Sequence, residues 1–148
     1  MENEELDEFK ISKRIRNKLK RKDLLRKELS NGKSAQEILE FSDETLGKFY
    51  RAAHQLLEHQ RYEDAANAFI FLVTLNPYHP EYWMDLGAAL QLCKNYEEAI
   101  DAYEIAAIYN IENPLPYFYL AKCLFAIHDR PSALQAFDLA IEYADDKE

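Results

Sequence analysis

The sequence predicts an all-α protein built as a short right-handed solenoid of three tandem helix hairpins, preceded by one or two N-terminal helices. Three observations predict it. A segment recurs at a fixed spacing of 34 residues, without gaps, starting at Leu46, Pro80 and Pro114. Apolar residues inside each copy fall three and four apart, as on one face of a helix, and no window alternates with period two. Gly and Pro number only three and five in 148 residues, which leaves room for uninterrupted helices. A unit of this length holds two short amphipathic helices, and such units stack into a solenoid with one concave face.

The chain opens on a charged N-terminal arm, residues 1–30, predicted to be helical in part. The first nine residues hold five acids and no base. Residues 10–27 hold ten Lys or Arg against Asp23 alone, and residues 28–148 hold eight bases against 21 acids. Ile11, Ile15 and Leu19 recur every four residues, a narrow apolar stripe on a helix. This predicts a basic amphipathic helix that docks on the acidic body or on a second copy of the chain. Ile11, Ile15, Leu19, Ile38 and Leu39 are the candidates for self-association. A basic run can also serve nucleic acid or anionic lipid. The arm has no interleaved aromatics and no nucleic-acid motif, so nucleic acid is not expected as a partner.

Ser30-Asn31-Gly32 makes a natural break. Residues 31–45 then carry a short helix, about 34–41, with Ile38, Leu39 and Phe41 for packing. Ser42 before Asp43 and Glu44 reads as an N-cap with acids in the first turn.

The repeats occupy 46–148, as units 46–79, 80–113 and 114–147. Counting each unit from one, position 4 is Phe49, Trp83 and Tyr117, and position 24 is Phe69, Tyr103 and Phe137. Position 8 is Ala53, Gly87 and Ala121, and position 20 is Ala65, Ala99 and Ala133. Small residues at 8 and 20 let the two helices of a hairpin approach; aromatics at 4 and 24 fill the space between repeats. This pattern resembles the tetratricopeptide (TPR) repeat. Asn95 followed by Glu98 has capping-box spacing, and Pro131 suits the first turn of the last helix.

Chemistry is not what these residues are arranged for. The sequence has no phosphate-binding Gly-rich loop, no HExxH and no nucleophile elbow, so no enzyme, cofactor, metal or small-molecule substrate is expected. Cys93 and Cys123 fall in helices without CxxC spacing or a neighbouring His and read as thiols of a reducing compartment. His59, His79 and His128 read as solvated turn residues, whereas His54 falls on the concave face. Met1 is followed by ENEELDE rather than a basic and then apolar leader. The longest apolar run, Ala68–Val73, is far short of the roughly 20 residues that span a bilayer. A cytoplasmic protein without membrane insertion is expected.

In a TPR hairpin the first helix of each repeat faces the concavity, through positions 2, 5, 9 and 12. Here these are Gly47, Tyr50, His54 and Leu57; Glu81, Met84, Ala88 and Gln91; Leu115, Phe118, Lys122 and Phe125. The set is apolar and aromatic with few charges, which suits an extended segment with spaced apolar side chains. TPR proteins that clamp acidic C-terminal tails use Lys, Asn and Arg at five positions that are Tyr50, His54, Asp85, Leu115 and Tyr119 here, so that clamp is absent.

A closer resemblance follows from FSDETL, LNPYHPEYW (residues 75–83) and NPLPYFYLAKCL (residues 113–124). Over about residues 32–143 the chain resembles the class II chaperones of bacterial type III secretion, the SycD/LcrH type. The resemblance implies a small cytoplasmic chaperone for the hydrophobic translocators that form a pore in the host membrane. It implies that a translocator segment lies extended in the groove against Tyr50, His54, Leu57, Met84, Ala88, Gln91, Phe118, Lys122 and Phe125. It also implies a homodimer through N-terminal helices. Two departures stand out: the unusually charged first 27 residues, and little or no sequence for a capping helix after the third repeat, which predicts apolar surface on the last helix. The alternatives are a general TPR scaffold for complex assembly, and a regulator whose arm contacts nucleic acid.

Overall fold

A computed structural model describes residues 35–145, together with Lys27 and Asn31–Gly32. A short helix α1 (Ala35–Ile38) precedes three hairpins: α2 (Asp43–Glu58) with α3 (Tyr62–Leu75), α4 (Pro80–Leu92) with α5 (Tyr96–Tyr109), and α6 (Pro114–Ala126) with α7 (Arg130–Asp145). The described residues contain no strand. The main contacts run in chain order, α2 on α3, α3 on α4, and so on to α6 on α7, and α1 rests on α3. This is the contact pattern of a solenoid, in which each unit touches only its neighbours.

Local chemistry starts and stops these helices. The Ser42 hydroxyl accepts the Thr45 N–H at 3.1 Å, an N-cap as expected. Asn113 caps α6 by accepting the Leu115 N–H at 3.1 Å, and Asp129 accepts the Ser132 N–H at the start of α7. Each hairpin turns through one residue with positive φ at the same register: Gln60 (61°), Lys94 (64°) and His128 (67°). There the backbone N–H groups of three successive residues return to the carbonyls of the preceding helix, as in Arg61 to Leu56, Asn95 to Leu90 and Asp129 to Leu124. These bonds satisfy carbonyls that a helix end leaves orphaned. Asn95 differs from the expectation. It precedes α5 but its side chain makes no capping bond; the turn at Lys94 already fixes the entry of the chain.

The short helix is shorter than its sequence suggested. The side-chain amide of Gln36 donates to Phe41 O at 3.1 Å and to Asp43 Oδ1 at 2.8 Å, and Glu40 has φ 59°. The chain therefore turns after Ile38 and delivers Phe41 onto the first hairpin. There Phe41, Phe49 and Phe71 meet edge to face at 5.6–6.1 Å, the arrangement aromatic quadrupoles favour. Leu39, expected at a self-association surface, is 6% exposed and belongs to the chain's own core. The Ile38 side chain, and Ile11, Ile15 and Leu19, lie outside the described residues.

The small positions place the helices. Ala53, Ala65, Ala99 and Ala121 are fully buried and Ala133 nearly so. At Gly87 a Cβ would stand 2.6 Å from the Tyr103 ring, so α4 and α5 approach as they do only because that side chain is missing. Between the first two repeats the Trp83 indole donates to Pro77 O at 2.7 Å. These contacts set α2, α4 and α6 side by side and give the concave face its residues.

Candidate peptide-binding groove

The first helices of the three repeats, α2, α4 and α6, contribute the groove. It holds an open cavity of about 550 Å³ lined by Met84, Asp85, Ala88, Gln91, Leu92, Tyr96, Tyr103, Leu115 and Tyr119. That is within the size of ligand pockets generally. Apolar and aromatic side chains supply most of the wall, with a carboxylate and an amide among them.

The polar groups are tied down. The Tyr50 hydroxyl donates to Asp85 Oδ2, and His54 Nε2 lies 3.0 Å from the same oxygen. One carboxylate on α4 thus gathers two rings from α2. Tyr50 and His54 also pack edge to face at 4.6 Å, and Tyr50 tilts against Tyr82 at 5.3 Å. Burial first, and then the bond to Asp85, hold the Tyr50 phenol well above its ordinary range; it stays protonated and donates. Deeper in, the Tyr103 hydroxyl donates to Gln91 Oε1 at 2.8 Å. Burial likewise raises the Tyr103 phenol. Tyr103 stacks on Tyr119 at 5.6 Å.

The third repeat forms the open end. Leu115, Phe118 and Phe125 are 50%, 41% and 57% exposed. Lys122 Nζ sits 5.6 Å from the centre of the Phe118 ring and 5.8 Å from that of Tyr119, a cation–π contact on the groove rim. Of the nine residues expected from the repeat register, Met84, Ala88 and Gln91 line the cavity, and Tyr50 and His54 reach it through Asp85. Phe118 and Lys122 flank it beside Tyr119. Leu57 is half-buried against the core, as Tyr50 and Met84 are, and does not line the cavity; Phe125 stands exposed on α6.

Sequence reasoning passed over Leu92, Tyr96 and Tyr103 as groove residues, and considered Asp85 and Tyr119 only as positions of a clamp that is absent. A signal was available for some of them. Asp85, Ala88 and Leu92 follow one another at helical spacing on α4, with Tyr119 at the position equivalent to Asp85. His79 lies in the connection before α4 with its side chain 39% exposed, but it is not wholly solvated. Its ring stacks on Tyr82 at 4.2 Å, and its Nδ1 is shielded from solvent. Among the described residues no group of His, Cys, Asp and Glu is placed to hold a metal ion. No described helix is long and apolar enough to cross a membrane.

The tetratricopeptide repeat family model matches residues 50–114. Low calcium response locus protein H of Yersinia pestis is 32% identical over 119 residues, covering 80% of this chain and 71% of that protein. The chain belongs to the SycD/LcrH family of type III secretion chaperones. Solved structures of the family agree in fold. SycD of Yersinia enterocolitica, in complex with a peptide of the translocator YopD, superposes with a TM-score of 0.68 at 32% identity, covering 70% of this chain and 79% of SycD. PcrH of Pseudomonas aeruginosa, in complex with the chaperone binding region of PopD, gives 0.69 at 28% identity, covering 71% and 79%. In this SycD/LcrH-type chain, the groove residues identified above are therefore set on the same scaffold as those two chaperones.

Proposed function

We propose that this SycD/LcrH-type protein is a chaperone of the bacterial cytoplasm that holds an extended segment of a hydrophobic type III secretion translocator in its concave groove. The observation that carries this is the groove itself: an apolar and aromatic trough on a family scaffold whose member SycD is bound to a peptide of the translocator YopD, and whose member PcrH is bound to the chaperone binding region of PopD. The mechanism is binding without turnover. Membrane-active segments aggregate in water because their apolar surface is exposed. Occupying part of such a chain keeps it unassembled until export.

The groove residues divide that work. Met84, Ala88, Leu115 and Tyr119 offer apolar surface to side chains of the client. Phe118 and Phe125 extend that surface along α6, and Lys122 offers a cation at the rim. Tyr50 and His54 both engage Asp85 Oδ2, so Oδ1 is the oxygen left to accept a backbone N–H of an extended segment. Prepaid hydrogen bonds among Tyr50, His54 and Asp85 fix that acceptor before the client arrives, which lowers the entropy lost on binding.

The test is direct. The chain is co-expressed with a protein encoded beside it that carries two hydrophobic segments, and overlapping peptides tiled along that protein are titrated into the purified chaperone. Soluble co-purification, and one peptide region that binds the wild type and binds the Phe118→Ala variant more weakly, are expected. A client that stays soluble and is exported without the chaperone would contradict the proposal.

A further inference from the structure

One charged group lines the groove cavity, the carboxylate of Asp85. Its side chain is 21% exposed, so most of the water that would solvate the charge is gone. Among the described residues its partners are the Tyr50 hydroxyl, which is neutral, and His54, which is a counter-ion only when protonated. No Lys or Arg of the described residues pairs with it. The surrounding charge has the same sign. Helices α4 and α5 supply seven of the nine lining residues. They carry six acids and no base, and Glu81 stands one turn before Asp85 on the same face of α4. Lys94 lies in the turn between the two helices. Lys122 on α6 is placed over the Phe118 and Tyr119 rings, at 5.6 and 5.8 Å. A cleft lined by one sign of charge concentrates the opposite sign.

The rest of the wall selects the shape of the cation. Met84, Leu92 and Leu115 offer apolar surface in the same cavity, which fits a charge carried on an aliphatic stem. We propose that the cavity seats an arginine side chain of the client, with its guanidinium on Asp85 Oδ1. The seat rests on the client segment lying in the groove as set out above, and adds which of its side chains is read. A guanidinium is less strongly hydrated than an ammonium and holds its N–H groups in a planar fork, so it gives up less on entering a half-enclosed pocket. An ionised carboxylate has about four lone-pair sites. Tyr50 and His54 use Oδ2, so Oδ1 can accept a side-chain N–H as well as a backbone one. The same charge rejects other segments. An apolar client side chain over Asp85 would strip its remaining water and return no bond, which costs affinity. An apolar trough alone ranks segments by area; Asp85 makes this one discriminate by sequence.

Calorimetry on the full chain tests it, with the peptides tiled along the client described above. The tightest peptide is expected to contain an arginine whose replacement by citrulline, which keeps the shape and removes the charge, weakens binding at least about tenfold. Lysine in its place is expected to weaken binding less. Asp85→Asn, which still accepts from Tyr50, is expected to bind the arginine and citrulline peptides within about threefold of each other. Comparing two peptides on one variant cancels any cost of the substitution to the fold. A tightest peptide without an arginine, equal binding of the arginine and citrulline forms by the wild type, or an undiminished preference in Asp85→Asn overturns the seat and leaves the client reading intact. A peptide of residues 10–27 that displaces the client from the wild type but not from Asp85→Asn gives the seat to the chain's own arm, and likewise overturns it. No binding by any tiled peptide overturns the client reading, and the seat with it.

Discussion

Tyr50 and Asp85 are 35 residues apart and in successive repeats, yet the phenol of one donates to the carboxylate of the other. His54 joins the same oxygen at 3.0 Å. The bond clamps α2 to α4 across the floor of the groove, so Asp85 both holds two repeats together and shapes the surface a client meets.

Asp85→Ala removes two bonds to a charged acceptor at a half-buried site. Hydrogen bonds to charged groups contribute about 1.5–3 kcal/mol when buried, and partial exposure here points to the lower end. We expect a loss of about 1–2 kcal/mol in urea unfolding at pH 7, with less lost in Asp85→Asn, which can still accept from Tyr50. Stability equal to wild type for Asp85→Ala would show that the clamp is incidental.

Phe118 is 41% exposed and touches Tyr119 and Phe137 at 5.5 and 6.1 Å. Truncating an aromatic anchor at an interface costs about 2 kcal/mol or more, about thirtyfold in affinity. Phe118→Ala is expected to weaken binding of a translocator peptide by that factor in calorimetry, and Tyr50→Ala to weaken it as well, both without loss of helical circular dichroism. Affinities within about threefold of wild type would remove these side chains from the binding surface.

Gly87 faces the ring of Tyr103, where even one added carbon would stand 2.6 Å away. Overpacking costs roughly 1–3 kcal/mol, a large part of a small domain's stability. Gly87→Leu should lower the melting temperature sharply and Gly87→Ala less so. Tyr103→Leu in the Gly87→Ala background should recover part of that loss, because the clash is with the ring; additive losses in the double variant would place the strain elsewhere.

Burial pushes the Cys123 thiol up to about 11 from an ordinary 9.0, and raises the Tyr50 and Tyr103 phenols. Each is then protonated in the folded chain at a pH where the unfolded chain has released its proton. Stability is full below pH 9; the Cys123 contribution is lost as pH rises from about 9 to 11, and that of the two phenols only above pH 10, continuing beyond 11. Denaturant midpoints are expected to fall over that window, and Cys123→Ala to flatten part of the fall. Native Cys123 should also alkylate far more slowly than Cys93, which is less buried, since only the thiolate reacts.

The repeat period, the six long helices and the small residues between them were legible in the sequence because they are local. Spacings of three and four report which residues share a helix face, and a unit repeated three times reports its packing positions by agreement, as Ala53, Gly87 and Ala121 do. The same register pointed to Met84, Ala88 and Gln91, which line the cavity. The tertiary structure alone decided that Asp85 would reach Tyr50 and His54, that Tyr103 would lie on Gly87 and hold Gln91, and that Leu39 would turn to the core. Those outcomes depend on the angle between stacked hairpins and on side-chain rotamers across it. Periodicity along one helix carries no information about either.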